Sequence, residues 1–332
     1  MRRLVILVMV LLLIPGAQGW AAQEGGAASP KPGQAGLDYR LVGLLPQADL
    51  IGVLDVPTLL TDLLPRLDRL GVKGAAQFSS ELAKIATQLG IEIKQLRGAA
   101  FALSLRSFEA SGLVIMQGAE PDLRKIESLL RNYQLEFRTL EHEGVTIITL
   151  AKPLGTPSLG PFALSTADLA YASLGEGRVA IGELSQVRQA IERRQRPTAA
   201  PTSQVVALRE ANPASLLRFA FTLSPEMREA ANTQGDLFKS IAAVTVLVGD
   251  LQVAPDLAVT LNTLMRTPSA KEALDLEQGL KGLINLGRVL MANGDPNLTA
   301  IINQVRVSIK DRDVSLRIAL PASFIEQMTR KP

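Results

Sequence analysis

The feature that most constrains the fold is a repeated order of strand-like and helix-like segments in the two halves of the chain. Four segments of the first half each match one segment of the second half. In the first matching pair each segment is a strand followed by a helical region, and in the second pair each is a strand. The third pair are strands followed by a helix that begins with proline, and the fourth are strand, tight turn, strand and short helix. In order, the pairs are Leu50 to Val56 with Leu216 to Leu223, Arg97 to Leu105 with Ile241 to Asp250, Ser111 to Tyr133 with Asp256 to Ile284, and Leu169 to Glu192 with Val305 to Met328. Both halves therefore predict the order β-α-β-β-α-β-β-α.

This order predicts an α+β protein of two similar modules. The first six elements match the ferredoxin-like β-α-β-β-α-β order, in which helices cover one face of an antiparallel sheet. The alternation of apolar and polar residues in the strands agrees, because such sheets are buried on one face. The first half carries an additional hairpin, Leu135 to Leu150, and a Pro/Gly-rich loop, Lys152 to Thr166.

The segment from Asp256 to Ile284 shows both periodicities most clearly. One face of the expected strand carries Leu257, Val259, Leu261 and Met265, and the other carries Thr260 and Asn262. Thr267 is the expected N-cap of the following helix, with Pro268 at its first position, and Ser269 with Glu272 offers a capping box two residues later.

The same helix raises a question about its glycines. Its expected apolar face consists of Leu276, Leu280, Leu283, Ile284 and Val289 or Leu290, and its end is expected at Asn293 to Pro296. Gly279, Gly282 and Gly287 each cost about 1 kcal/mol inside a helix. Close packing on the sheet would offset that cost, and a break in the helix is the alternative.

The N-terminus has the order of a secretory signal. Arg2 and Arg3 precede the apolar run Leu4 to Ile14, and small residues follow a Pro-Gly break. We expect residues 1–21 to be a Sec-type signal peptide, cleaved near Gly19 to Ala21, and the protein to be periplasmic or secreted. An uncleaved anchor is the alternative, and membrane contact would then run through this segment alone.

Two further stretches divide the remainder. Residues 22–36 are rich in Gly, Ala and Pro and predict a flexible tether. Gln195 to Gln204 has the same character, so we expect a first α+β module at 37–195, a linker at 196–204 and a second module at 205–332.

Three segments carry a resemblance to a known group of proteins: LLPQADLIGVLDVPTLLTDLLPRL, AVTLNTLMRTPSAKEALDLEQGLKGL and VSIKDRDVSLRIALP. They resemble exported proteins of Acidobacteria and related bacteria that carry duplicated α+β domains of unknown function. The resemblance covers most of residues 40–330 and implies no catalytic or binding residue.

Composition excludes several classes of function. Removing the two leader arginines from 35 Lys and Arg leaves 33 against 32 Asp and Glu, so nothing in the charge favours nucleic acid. Nine Phe, three Tyr and one Trp give few platforms for stacking on bases. Without cysteine there are no disulfides, no thiolate metal site and no cysteine nucleophile.

The candidate chemical groups each have a structural interpretation. His142, the only histidine, is expected at an exposed hairpin tip, since Glu141 and Glu143 would point away from it to opposite faces of a strand. Gly175 and Gly177 are expected in a turn between two strands, and Lys310 to Asp313 is expected to be a hairpin turn. Asp55 is expected to cap the next helix. The sequence therefore predicts no catalytic, cofactor-binding or metal-binding residue.

Three functions stay open at this point. An exported envelope protein that binds or scaffolds another protein, without catalysis, follows by elimination. A periplasmic carrier of an apolar ligand and a carboxylate-based hydrolase are the alternatives.

Overall fold

A computed structural model describes residues 40–70, 75–106, 109–118, 120–154, 158–159, 162–164, 166, 168–196, 202–233, 235–291 and 296–323. These residues form two compact units that divide between Pro201 and Thr202, and each unit is described by itself. The expected signal peptide and tether lie outside the described residues, as do residues 197–201 of the expected linker.

The first unit contains nine strands and four α-helices among its described residues. A π-helical turn, Thr58–Leu63, precedes the first helix, and a 3₁₀ turn, Ile93–Gln95, follows the second. The elements are β1 Leu50–Leu54, α1 Leu64–Arg69, α2 Ala75–Leu89, β2 Gly98–Arg106, β3 Glu109–Gln117, α3 Leu123–Asn132, β4 Phe137–His142, β5 Val145–Leu150, β6 Ser158–Leu159, β7 Phe162–Leu164, β8 Leu169–Gly175, β9 Arg178–Glu183 and α4 Leu184–Gln195. The strands pair antiparallel in the order β1-β2-β3-β9-β8-β5-β4, and β7 pairs in parallel with the start of β3.

The second unit contains five strands and five helices among its described residues. They are α5 Ser203–Leu208, β10 Leu217–Phe221, α6 Pro225–Thr233, α7 Asp236–Ala242, β11 Val246–Val253, β12 Val259–Arg266, α8 Ala270–Met291, α9 Pro296–Gln304, β13 Arg306–Lys310 and β14 Asp313–Leu320. Their antiparallel order is β10-β11-β12-β14-β13.

The two units share one strand order. If the five strands common to both are numbered along the chain, each unit pairs them as 1-2-3-5-4. The expected α+β class is confirmed, and the described strands and helices follow the expected order; most of the last helix expected in the second half lies outside the described residues. The strand order differs from the expected ferredoxin-like one, which places strands 1 and 3 side by side in parallel. Here strand 1 pairs antiparallel with strand 2, as β1 does with β2 and β10 with β11.

The expected extra hairpin of the first half is present as β4 and β5, and it is joined to the shared strands. Its second strand, β5, pairs with β8 at Ile147, Ile148 and Thr149. Its turn places Glu143 and Gly144 at φ values of 50° and 71°, as a type I′ turn requires.

Helices lie on both faces of the second unit's strands, which corrects the expectation of one covered face. On one face, Ala273 and Leu276 of α8 pack with Met265 and Val314. On the other face, Ala207 of α5 packs with Val246 and Val248. The helix α5 begins at Ser203 and is capped by the Thr202 hydroxyl, which accepts from Val205 N at 3.3 Å. The second module therefore begins inside the expected linker.

The strand before α8 agrees with its periodicity, but the cap does not. Val259, Leu261 and Met265 share one face of β12, while Leu257 precedes the strand at a φ of 71°. The N-cap of α8 is Ser269, whose hydroxyl oxygen accepts from Glu272 N at 3.3 Å. The Thr267 hydroxyl instead donates to the carbonyls of Ser269 and Arg312, both at 2.9 Å.

Gly282 and Gly287 of α8 do not pack on the sheet. A Cβ built on Gly282 meets nothing within 4 Å, and one on Gly287 lies 3.2 Å from Ile302 Cδ1 in α9. The helix nevertheless runs unbroken from Ala270 to Met291. The expected apolar face is therefore only partly right: Leu276 is buried, but Leu283 and Val289 are exposed.

Candidate functional site

The residues that the sequence singled out are held in local structural contacts. His142 is the last residue of β4 rather than the hairpin tip, and its Nε2 lies 3.0 Å from Glu192 Oε1 of α4. Glu141 accepts from the Thr146 hydroxyl at 2.7 Å. In the part of the chain that the structure describes, no group of three or more His, Asp or Glu side chains could hold a metal ion.

Asp55 and the two glycine-rich or charged turns behave as expected. Asp55 accepts from Thr58 N at 3.0 Å and from the Thr58 hydroxyl at 2.8 Å, so it caps the helical segment that follows β1. Gly177 lies in the turn between β8 and β9, and Asp311 lies in the turn between β13 and β14. These residues shape turns and helix ends.

A buried polar cluster in the second unit escaped the sequence analysis. Asp250 of β11 is 7% exposed, and its Oδ1 accepts from the side chains of Ser215, Gln252 and Asn262 at 2.9, 2.8 and 3.2 Å. Arg218 lies opposite Asp250 in β10 and is 3% exposed. Burial lowers the pKa of Arg218, and the nearby Asp250 carboxylate acts in the opposite direction.

This cluster is placed to hold strands together. Ser215 and Asp250 form a hydroxyl–carboxylate pair, but both are buried and Asp250 already accepts three hydrogen bonds. A substrate would have to displace those donors to reach the hydroxyl. The sequence does carry a signal for this cluster: β10 and β11 are mostly apolar, and each contains a single charged residue, Arg218 and Asp250 respectively.

The open surface of the second unit lies at its last strand, β13. In the strand order, β14 pairs with one side of β13, and no described strand pairs with the other side. Its residues are exposed except for Val307, and Ile309 is 36% exposed. An unpaired side of this kind presents main-chain donors and acceptors to solvent.

The pairing shows which main-chain groups of β13 are not bonded to β14. Thr267 N donates to Arg312 O at 3.0 Å, which sets the alternation of hydrogen bonds between β12 and β14. By that alternation Val314 and Leu316 bond to β12, whereas Asp313, Ser315 and Arg317 bond to β13. Their partners in β13 are Lys310, Ser308 and Arg306. The main-chain N–H and C=O groups of Val307 and Ile309 therefore face away from β14.

The corresponding strand of the first unit is covered on this side. β8 occupies the position of β13 in the shared strand order, and β5 pairs with it antiparallel. In the second unit the chain has no equivalent hairpin between α9 and β13, since Gln304 and Arg306 are separated by one residue. We refer below to β13 and the adjoining face of β14, residues 306–310 and 313–317, as the β13 edge.

The helix α8 carries several exposed apolar side chains. Leu274, Leu283, Leu286 and Val289 all face solvent on it, and Val289 is 72% exposed. Within the described ranges, no helix combines the length and apolar character needed to cross a membrane.

Comparisons with known proteins add little at this point. No family model matches the sequence, and no curated protein matches it either. Crystal forms III, I and IV of the Treponema protein TP0453 resemble the chain with TM-scores of 0.48, 0.46 and 0.43, each at 9% identity. The alignments cover 88%, 92% and 87% of this chain and 98%, 98% and 96% of the other. At these values the likeness supports no conclusion about function.

Proposed function

We propose that the chain is exported and binds another protein without catalysis, by accepting an extended segment of that protein along the β13 edge. The observation that carries this proposal is the difference between equivalent strands. In the first unit β8 has an added strand, β5, on its outer side, whereas no described strand pairs with the same side of β13. The fold thus accommodates one more antiparallel strand at this position.

Strand addition suits the groups that the edge offers. The free main-chain groups of Val307 and Ile309 can form hydrogen bonds with any extended backbone, which supplies affinity. Alternate side chains then decide which backbone is accepted. No observation on the described residues favours a carrier of an apolar ligand or a carboxylate-based hydrolase.

The shared strand order also supports a duplication. We infer that the two units are copies of one module, as in the exported proteins of Acidobacteria that the sequence resembles. On this proposal the β4–β5 hairpin is an insertion into the first copy, and it converts an open edge into a paired one.

Export is tested by mass spectrometry of the protein purified from the cells that produce it. The basic, apolar and small-residue order predicts a mature N-terminus between Trp20 and Ala22. An intact Met1 in the membrane fraction would contradict it.

Strand addition is tested by photo-crosslinking in the same cells. A benzoylphenylalanine at Ser308, an exposed position of β13, is expected to give one protein adduct whose linked peptide comes from an extended segment. Ile309→Pro removes an outward N–H without breaking a bond to β14, so the adduct should be lost. The matched control is Thr139→Pro in β4, where residues 137, 139 and 141 face outward by the same alternation. An adduct that survives Ile309→Pro would refute addition at this edge.

A further inference from the structure

We infer that the segment that adds to the β13 edge is acidic, with carboxylates placed against Arg306, Lys310 and Arg317. This inference rests on the proposed strand addition and adds the chemistry of the partner to it. The required segment has five positions, with acidic residues at the first and fifth and apolar residues at the second and fourth.

The charges on one face of the β13 edge are all positive except at the turn. Arg306, Ser308 and Lys310 lie directly opposite Arg317, Ser315 and Asp313, so these six side chains share a face. Arg306 and Arg317 are therefore like charges in directly opposed positions, an arrangement that destabilises a strand pair.

No acidic side chain among the described residues forms an ion pair with these three cations. The nearest, Asp313, is held by Arg266, whose Nε and Nη2 lie 3.0 Å from its two carboxylate oxygens. Arg266 also binds Glu210 at 3.1 Å. Arg306 donates to the carbonyls of Asn303 and Val305, which fixes its guanidinium but does not neutralise it. The positive charge of the face is thus available to an anion.

The edge of the first unit provides a contrast. In and around β4, Arg138 lies 3.2 Å from Asp168, and Lys152 lies 2.5 Å from Glu136. Cations at that edge already have carboxylate partners within the chain. Of the two outer strands β4 and β13, β13 is the one whose cations have no carboxylate partner among the described residues.

In two registers, the charges of β13 oppose its pairing with the β13 strand of a second copy of the chain. Antiparallel pairing of two β13 strands about Ser308 would set Arg306 opposite Lys310 twice. Parallel pairing would set each of these residues against its own copy. Both arrangements oppose like charges, a known device against self-pairing of edge strands. The same charges favour an acidic strand.

The other face of β13 defines the remaining positions. Val307 packs with the core beneath α8, and Ile309 is 36% exposed beside it. An added strand places its alternate side chains next to these two residues, so its second and fourth positions are apolar. Its first and fifth positions lie beside Arg306 and Lys310, where carboxylates meet the cations.

Fluorescence anisotropy of labelled peptides on the purified mature protein tests this chemistry. The probe is Thr-Glu-Val-Thr-Val-Glu-Thr, which reads nearly the same in either strand direction, and the controls replace both Glu by Gln or by Lys. We expect the acidic peptide to bind about tenfold more tightly than the Gln peptide at low salt, from two cross-strand ion pairs. Added salt should remove most of that difference.

Charge exchange gives the decisive variant. Arg306→Glu combined with Lys310→Glu should reverse the preference, so that the Lys peptide binds more tightly than the acidic one. This reversal does not depend on comparing stabilities, because a misfolded edge would lose both peptides.

The outcomes separate this inference from the proposed function. If acidic and Gln peptides bind equally and both are lost with Ile309→Pro, strand addition stands and the acidic chemistry is wrong. If Ile309→Pro leaves binding unchanged, or no peptide binds the unaltered protein, strand addition itself is refuted.

Discussion

Replacing Asp250 with Ala should destabilise the second unit by about 3–5 kcal/mol, the usual cost of breaking a buried charged group away from its partners. The Ser215 hydroxyl is buried and would lose its acceptor, which alone costs about 1–3 kcal/mol. The amides of Gln252 and Asn262 are less buried and can turn to water, so they contribute less. Arg218 would also lose the carboxylate beside it.

Urea unfolding followed by circular dichroism measures this change, with hydrogen exchange of β10 and β11 to assign it to the second unit. With an m-value of about 2 kcal/mol/M, the midpoint should fall by about 2 M. Asp250→Asn keeps one acceptor oxygen, so its urea midpoint should lie between those of the unaltered protein and Asp250→Ala. Asp275→Ala, on the exposed side of α8, should change stability by no more than about 0.5 kcal/mol. A loss below about 1 kcal/mol for Asp250→Ala would show that the cluster does not hold these strands together.

Two further predictions concern stability. Gly282→Ala should stabilise the protein by about 1 kcal/mol in urea unfolding, because its Cβ enters open space in a helix. Gly182→Ala should destabilise the protein by about 1–3 kcal/mol, because the added Cβ would lie 2.7 Å from Leu113 Cα. Equal changes in stability for Gly282→Ala and Gly182→Ala would contradict this difference in packing. Burial raises the pKa of Tyr171 above its ordinary value of 10.0, so its neutral form is favoured in the folded state. The stability that the neutral Tyr171 phenol contributes is present below pH 10 and is lost as the pH rises above 10. In thermal melts at alkaline pH, Tyr171→Phe should reduce this loss of stability, and Tyr133→Phe should not.

The order of elements was predictable because its signals are local. Alternation in β12, the helical period of α8 and the turn residues of the hairpins can each be read within about twenty residues. The pairing of strands is not local, since β10 and β11 adjoin although two helices separate them in the chain. The order of elements along the chain does not distinguish the ferredoxin-like pairing from the 1-2-3-5-4 pairing that the strands adopt.

The helix cap before α8 shows how one distant contact changes a local choice. Thr267 and Ser269 both have hydroxyls that could accept from the first turn of the helix. Arg312, 45 residues from Thr267, supplies a carbonyl that binds the Thr267 hydroxyl. Because the Thr267 hydroxyl is engaged in that contact, Ser269 is the residue that caps the helix.

The candidate site divides in the same way. The alternation of Arg306, Ser308 and Lys310 with Val307 and Ile309 is plain in the sequence, and so is the turn that follows. That β13 is the outermost strand depends on β14 pairing with β12, a relation between segments some fifty residues apart. The same holds for Arg218 and Asp250, whose opposition exists only once β10 lies beside β11.

The two units together suggest why an open edge survives in the second. An edge strand with apolar residues on both faces would associate with other chains, and β8, whose Ala170, Tyr171 and Ala172 are buried, is covered by β5. The residues of β13 instead place cations on one face, so the strand stays open to solvent without pairing with itself. Charges that only kept the strand soluble could have been neutralised within the chain, as at β4. Because no described carboxylate neutralises them, the charges disfavour pairing between copies of β13 and favour a strand of opposite charge, which is why the charge-exchange variant tests the proposal more sharply than any deletion.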